Sequence, residues 1–415
     1  MNRIQKLIND LCPNGVPYKK LKDIGDTFTG LNGKRKEDFS KGNCKYITYT
    51  NIYNNPSIDL NQNDYVYIKV NEKQNTLRYG DILITGSSEN MEDSGMISVV
   101  CEEPKENVYL NSFCFGLRPN EEYSKKLFPG FSKHIFRSNF FRKQILQCSF
   151  GVTRYNLNKK KFMELTIPIP PIDVQKEIAK VLDKFGELEA ELEAELEARK
   201  SQYEFWREKL FDDSEAKQYQ LEELFNLKNG FTPSKANDSF WTNGIIPWFR
   251  MEDLRENGRI LNDAIQHITI EATKGNIMPE NSIIVSTSAT IGEHALLTCK
   301  SLSNQRFTYL VLKDSFKDVV DMKYIYYHCF LLDKYCLHIL NQGNFASIDM
   351  KAFKKYIFNI PTIEKQKKIV DILDKFDKLV NDIYEGLPAE IKFRRKQYKY
   401  YRDELLSFKE LVVNE

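Results

Sequence analysis

Two long stretches of this chain carry apolar residues at steps of three, four or seven against a charged background. In the first, Ile178, Leu182, Phe185, Leu188, Leu192, Leu196, Tyr203, Trp206 and Leu210 make one stripe. In the second, Ile369, Leu373, Phe376, Ile383, Leu387, Ile391, Tyr398, Tyr401 and Leu405 do the same. This spacing predicts two amphipathic helices of about 40 residues, each about 60 Å long. Prolines precede both (Pro168, Pro170 and Pro171; Pro361), and Asp173 and Glu364 fall in the first turns, where the macrodipole favours an anion. Gly386 and Pro388 predict a kink or break in the second helix. So long a stripe must be covered, and pairing the two helices as an antiparallel coiled coil covers both.

The helices are copies of one another. Pro170, Gln175, Ile178, Leu182, Asp183, Lys184 and Phe185 recur as Pro361, Gln366, Ile369, Leu373, Asp374, Lys375 and Phe376. Further on, Arg199, Gln202, Tyr203, Arg207 and Leu210 recur as Arg394, Gln397, Tyr398, Arg402 and Leu405, four residues later in register. The tetrapeptide ELEA occurs three times between Glu187 and Ala198. One reading is an ordinary helix with a stutter. The other is an adjustable ruler, in which four residues add about 6 Å and turn the helix about 40° past a full turn.

Between the helices the period changes. CKYITYTNIY (44–53), YGDILIT (79–85), MISVVC (96–101) and FCFGLRP (113–119) read as strands between turns, and 132–148 has helical spacing. The segment from about residue 213 echoes the first. Gly30 answers Gly230, YGDILIT answers ENSIIVSTS, and GVTRYNLNKKKF answers GNFASIDMKAF. The expected fold is α+β: a domain over 1–165, a helical spacer over 166–212, a second domain over 213–356 and a second spacer over 357–415, making a pseudo-twofold internal repeat.

Charge refines this picture. The formal net charge is +2, but residues 1–172 carry +7, 173–212 carry −5, 213–361 carry −1 and 362–415 carry +1. The first domain attracts phosphate and the acidic helix repels it. No apolar run is long enough to span a membrane, and the N-terminus carries no apolar signal core. The eight cysteines form no CxxC and the five histidines no HExxH, which predicts reduced thiols in a cytoplasmic protein without a zinc site. There is no GxxxxGK[ST] loop for ATP, no glycine-rich S-adenosylmethionine loop and no NPPY-type pocket; Asn55-Pro56-Ser57 reads as a turn. A non-catalytic chain is expected.

Two diverged domains, two similar helices opening on Gln-Lys-x-Ile five residues after a proline, an ELEA repeat, and GLPAEIKFRRKQYKYYRDELL in the second copy resemble the specificity subunit of type I restriction–modification systems. The resemblance covers the whole chain. It implies two target recognition domains reading the halves of a split double-stranded DNA target, with the helices setting the spacing. It also implies that the helices dock two methyltransferase subunits and, through them, restriction subunits. Cofactors would then belong to the partners: S-adenosylmethionine for adenine methylation, and ATP with Mg for restriction. The alternative is a coiled-coil scaffold with two protein-binding domains and no DNA.

Base readout needs side chains that reach base edges, and phosphates need cations. In the first domain the candidates are Lys34, Arg35 and Lys36; Arg78, Ser87 and Ser88; and Arg154, Tyr155 and Asn156, followed by Lys159 and Lys160. In the second they are Arg250, the strand end Ser286, Thr287 and Ser288, the turn Asn304, Gln305 and Arg306, then Gln342 and Asn344, and Lys351. Each has an ordinary surface or turn reading beside the functional one.

Overall fold

The computed structural model describes residues 2–341 and 346–411. The chain divides into two compact units, Met1–Leu192 with Ile391–Glu415 (unit 1) and Glu193–Glu390 (unit 2). The first boundary falls inside the ELEA run, within a helix that is continuous from Ile172 to Lys209.

In unit 1 a four-stranded antiparallel sheet runs in the order 25–29, 114–119, 82–85, 97–99. Its central strand Ile82–Thr85 is wholly buried. Ile82 and Ile84 enter one core with Phe131, Phe141, Ile178 and Leu182, while Leu83 enters a second with Ile47, Ile52 and Leu110. A strand covered on both faces is apolar without alternation, as its sequence is. A second sheet pairs Cys44–Ile47 with Tyr65–Val66 and, in parallel, with Val108–Leu110. Unit 2 repeats this plan with one strand added: 225–229, 307–312, 282–286, 294–297 and the parallel edge 260–261 in one sheet, and Ile246–Phe249 between 267–268 and the parallel 302–303 in the other. Gly30 and Gly230 sit where a Cβ would lie 2.1 Å and 2.3 Å from the carbonyl oxygens of Asn111 and Asn304. That close approach explains why glycine stands at both positions.

The duplicated helix residues are the joints between domain and spacer. Gln175 is fully buried: its Nε2 donates to Lys126 O and Pro170 O (2.7 Å each), and its Oε1 accepts from Phe128 N (2.8 Å). In unit 2, Gln366 makes the same three bonds, to Val319 O, Pro361 O and Asp321 N, all 2.8 Å. Asp183 takes Lys133 and His134 at 2.7 Å each; Asp374 takes Lys323 at 2.7 Å and the Tyr327 hydroxyl at 2.6 Å. Phe185 packs on Tyr398 and Tyr401, and Phe376 stacks on Tyr203. In unit 1 the spacer helices are antiparallel, Phe185 meeting Tyr401 while Glu189 meets Arg395 at 2.6 Å. In unit 2 the same sense follows from Tyr203 against Phe376 and Asp213 against Lys365. The pairing thus joins the first half of one copy to the second half of the other, each pair within its own unit.

The break expected in the second spacer is present: it divides into Ile363–Asn381 and Leu387–Leu405, and Asp382 accepts from Tyr384 N and Glu385 N across the gap. Four expectations are corrected. Ile383 therefore lies outside both helices and is 60% exposed rather than packed. Leu188, one turn on from Phe185 along the same face, is also exposed rather than packed. Run 44–53 is not one strand: Thr48 Oγ1 accepts from Asn51 N and starts a helix, Tyr49–Asn54. Stretch 132–148 is two helices, Pro129–Ile135 and Asn139–Cys148, because Ser138 caps the second. The N-terminal segment, for which no element is predicted above, forms the helix Asn2–Leu11, whose Ile4 joins the core of unit 1.

Candidate nucleic-acid interface

In unit 1 the register places Thr29 opposite Phe115 and Thr85 opposite Cys114. The loops after Thr29 and after Thr85, and the turn before Cys114, therefore leave the sheet at one end. Ser87 and Ser88 pair with Asn156 and Tyr155, and Leu157 N donates to Gly86 O, which brings the 151–156 loop to the same end. Five sequence candidates thus meet: Ser87, Ser88, Arg154, Tyr155 and Asn156. Three of them, Ser87, Ser88 and Arg154, border a cavity of about 360 Å³ whose wall also includes Tyr49, Tyr53, Asn90, Asp93 and Phe113. Those five were not anticipated. Tyr49, Tyr53 and Phe113 read equally well as core and Asn90 and Asp93 as turn residues, so pattern alone could not single them out.

The cavity is rigidly built. Arg154 Nε donates to Ser87 Oγ at 3.2 Å, and its guanidinium lies 5.9 Å from the ring of Phe113, which is 62% exposed. The Tyr49 hydroxyl donates to Ser87 O at 2.9 Å, and its ring stacks on Tyr53. Hydrogen bonding to Asp93 raises the phenol pKa of Tyr53, and Asn90 Nδ2 donates to Asp93 at 3.3 Å. Two arginines brace the walls from behind. Arg137 donates to the carbonyls of Ile52, Tyr53, Asn55 and Ile97; burial draws its pKa down to about 10, so it stays charged at neutral pH. Arg142 donates to the carbonyls of Glu92, Ser94 and Gly95.

Other candidates fare differently. Lys34 is not a cation facing solvent: its ammonium is buried on Glu72 (2.6 Å) and Tyr67 O (2.7 Å). That contact, with N–H donors from Lys69 and Gln74, holds the Glu72 carboxyl at about 2. Arg35 and Lys36 beside it are exposed, as are Arg78, Asn156 and Lys160. Lys159 is exposed too, with its ammonium 4.7 Å from the ring of Phe115.

Unit 2 assembles the corresponding sheet end from different side chains. Asn229 is opposite Thr308 and Ser286 opposite Phe307. Ser288 bridges Ser347, and Ile348 N donates to Thr287 O. Ser286 is fully buried and its hydroxyl is turned to Ser288 O, so it presents nothing to a ligand. The Thr287 hydroxyl is likewise taken, by Thr308 at 2.9 Å. Both are corrected to structural roles, imposed by a central strand with both faces covered. Gln305 accepts from the Thr232 hydroxyl, Asn304 Oδ1 accepts from Arg306 N, and the Arg306 side chain is exposed. Arg250 is drawn to Glu252 (3.1 Å) over Trp248, which is core. Lys351 is exposed in the first turn of the short helix Met350–Lys354. Gln342 and Asn344 lie outside the described residues.

Among the described residues, no group of three or more His, Cys, Asp or Glu is placed to hold a metal ion, and no helix is long and apolar enough to cross a membrane.

The architecture is thus one α+β module present twice on a duplicated helical spacer, with side chains that differ between the two copies at the corresponding sheet ends. The family model for the type I restriction modification DNA specificity domain matches residues 13–198 and again 213–392, and the chain belongs to that family. Its general role is recognition of a DNA target. The EcoprrI specificity subunit of Escherichia coli is 51% identical over 211 residues, 49% of this chain and 53% of that protein. The EcoR124I/EcoR124II specificity subunit of Escherichia coli is 38% identical over 283 residues, 61% of this chain and 64% of that protein. The chain therefore matches between half and two thirds of their length. The fold is that of the HsdS subunit from Thermoanaerobacter tengcongensis (TM-score 0.57, 15% identity, 95% of this chain and 97% of that one). It is also that of a chain solved for complex assembly and conformational transition of the type I R-M system (TM-score 0.64, 16% identity, 95% and 98%). Members of this family assemble with other restriction–modification subunits.

Proposed function

We propose that this chain is the non-catalytic recognition subunit of a type I complex, reading a bipartite double-stranded target with one half-site per unit. One observation carries the reading. The joints recur residue for residue (Gln175 and Gln366, Asp183 and Asp374, Phe185 and Phe376), whereas the sheet ends share topology but not side chains. A constant mount with a variable tip is what two different half-sites on one scaffold require. The spacer helices dock two methyltransferase subunits, and restriction subunits through them. The partners use S-adenosylmethionine, and ATP with Mg.

The test is a methylome of cells without other methyltransferases, expressing this chain with its neighbouring methyltransferase gene. A split methyladenine motif that vanishes without this chain supports the proposal. Co-purification without any motif favours the scaffold reading, as does complex–DNA affinity that does not fall steeply with salt.

A further inference from the structure

A cation at a protein–DNA interface serves either a phosphate or a base edge, and the two uses leave different marks. A phosphate contact tolerates a mobile side chain, because charge attraction has little directionality. Base readout needs a side chain held in one direction, since its donors must meet two acceptors on one base.

Arg154 has the second kind of mounting. Its Nε is taken by Ser87 Oγ and its guanidinium lies by the exposed Phe113 ring. Ser87 is itself fixed, buried in the strand pair with Asn156 and accepting the Tyr49 hydroxyl at its carbonyl. Among the described residues, no acceptor is assigned to the two η nitrogens, so the end of the fork faces outward as a pre-aimed pair of donors. The adjoining wall carries Glu89 and Asp93. Carboxylates there repel a phosphate but accept from an exocyclic amine, as cytosine N4 offers. Lys159 and Lys160, on the same loop-to-helix segment, have no such bracing by hydrogen bonds, and phosphate is the fitting ligand for them.

We infer that Arg154 reads a guanine in the half-site contacted by unit 1, its η nitrogens donating to O6 and N7, with Ser87 and Phe113 fixing its direction. The inference rests on the proposal that the chain reads duplex DNA.

The test uses the full chain with its methyltransferase. The wild-type methylome should show a fixed G·C pair in one half of a split motif. Arg154→Ala should accept any pair at that one position, leaving the other half and the spacer unchanged. Discrimination there should fall from roughly 5- to 150-fold to near unity. A half-site without a fixed G·C, or an Arg154→Ala motif unchanged at every position with uniformly weaker methylation, overturns the inference in favour of a phosphate contact. Should the variant give no methylation, the wild-type complex decides: 7-deazaguanine, placed at each guanine in turn, must weaken binding at one position of that half. Equal affinity at all positions overturns the inference. If even the wild type gives no chain-dependent motif, the reading beneath has failed, and that is distinct from a motif insensitive to Arg154.

Discussion

Gln366→Met replaces a fully buried amide with a side chain of similar volume and no matching donors. Three main-chain groups then lose their partner: the carbonyls of Val319 and Pro361 and the N–H of Asp321. Each buried group left unpaired costs about 1–3 kcal/mol, and the three share one site, so about 3–6 kcal/mol is expected in total. That is a large share of a domain stability of about 5–15 kcal/mol. All three tryptophans of the chain, Trp206, Trp241 and Trp248, belong to unit 2, so their fluorescence reports the unit that Gln366 anchors. With a urea slope near 2 kcal/mol/M, the fluorescence midpoint should drop by about 1.5–3 M. A drop below about 0.5 M would refute the argument that these three buried bonds hold the joint.

Three further outcomes are expected. Because Glu72 is held at about 2, the Lys34 pair stabilises the fold above the ordinary carboxyl range and loses that contribution as pH falls from about 4.5 toward 2; Glu72→Gln should lower the melting temperature at pH 7 and flatten its acid dependence. Burial lowers the pKa of His134 against the pull of Asp183, so its stabilisation is present above pH 6.5 and is lost as pH falls through the lowered value; His134→Gln should flatten the fall in unfolding free energy below pH 6.5. Deleting one ELEA unit, Glu187–Ala190, should change the unread spacer and leave both half-site sequences intact, and a methylome showing altered half-sites would sink the ruler idea.

The duplicated helix was legible because its residues do repetitive work: a stripe for packing, a glutamine and an aspartate for the joint, and a glycine–proline break. Gly30 and Gly230 were legible as a pair because one close approach occurs twice. Exposure was not legible. Lys34 reads like Lys36, yet one is buried on Glu72 and the other faces water, since Glu72 is distant in sequence and its approach is fixed by the fold. Ser286 looks like a polar strand end, but both faces of its strand are covered. Phe113 shows the converse, an aromatic in an apolar run that tertiary structure leaves outside. Of the cavity wall only Ser87, Ser88 and Arg154 were legible, because it draws on segments from Tyr49 to Arg154 that only the sheet register assembles.

The glutamine joints address main-chain atoms, and the partner side chains of the neighbouring aspartates begin with one lysine on each domain. Beside the apolar packing of Ile178 and Leu182 in the domain core, the polar part of this seat reads main chain and a lysine, and so places little constraint on the occupant's other side chains. Any module offering one carbonyl, one N–H, a lysine and a matching apolar face in this geometry would sit equally well, so the mount accepts whole modules with different surfaces without being redesigned.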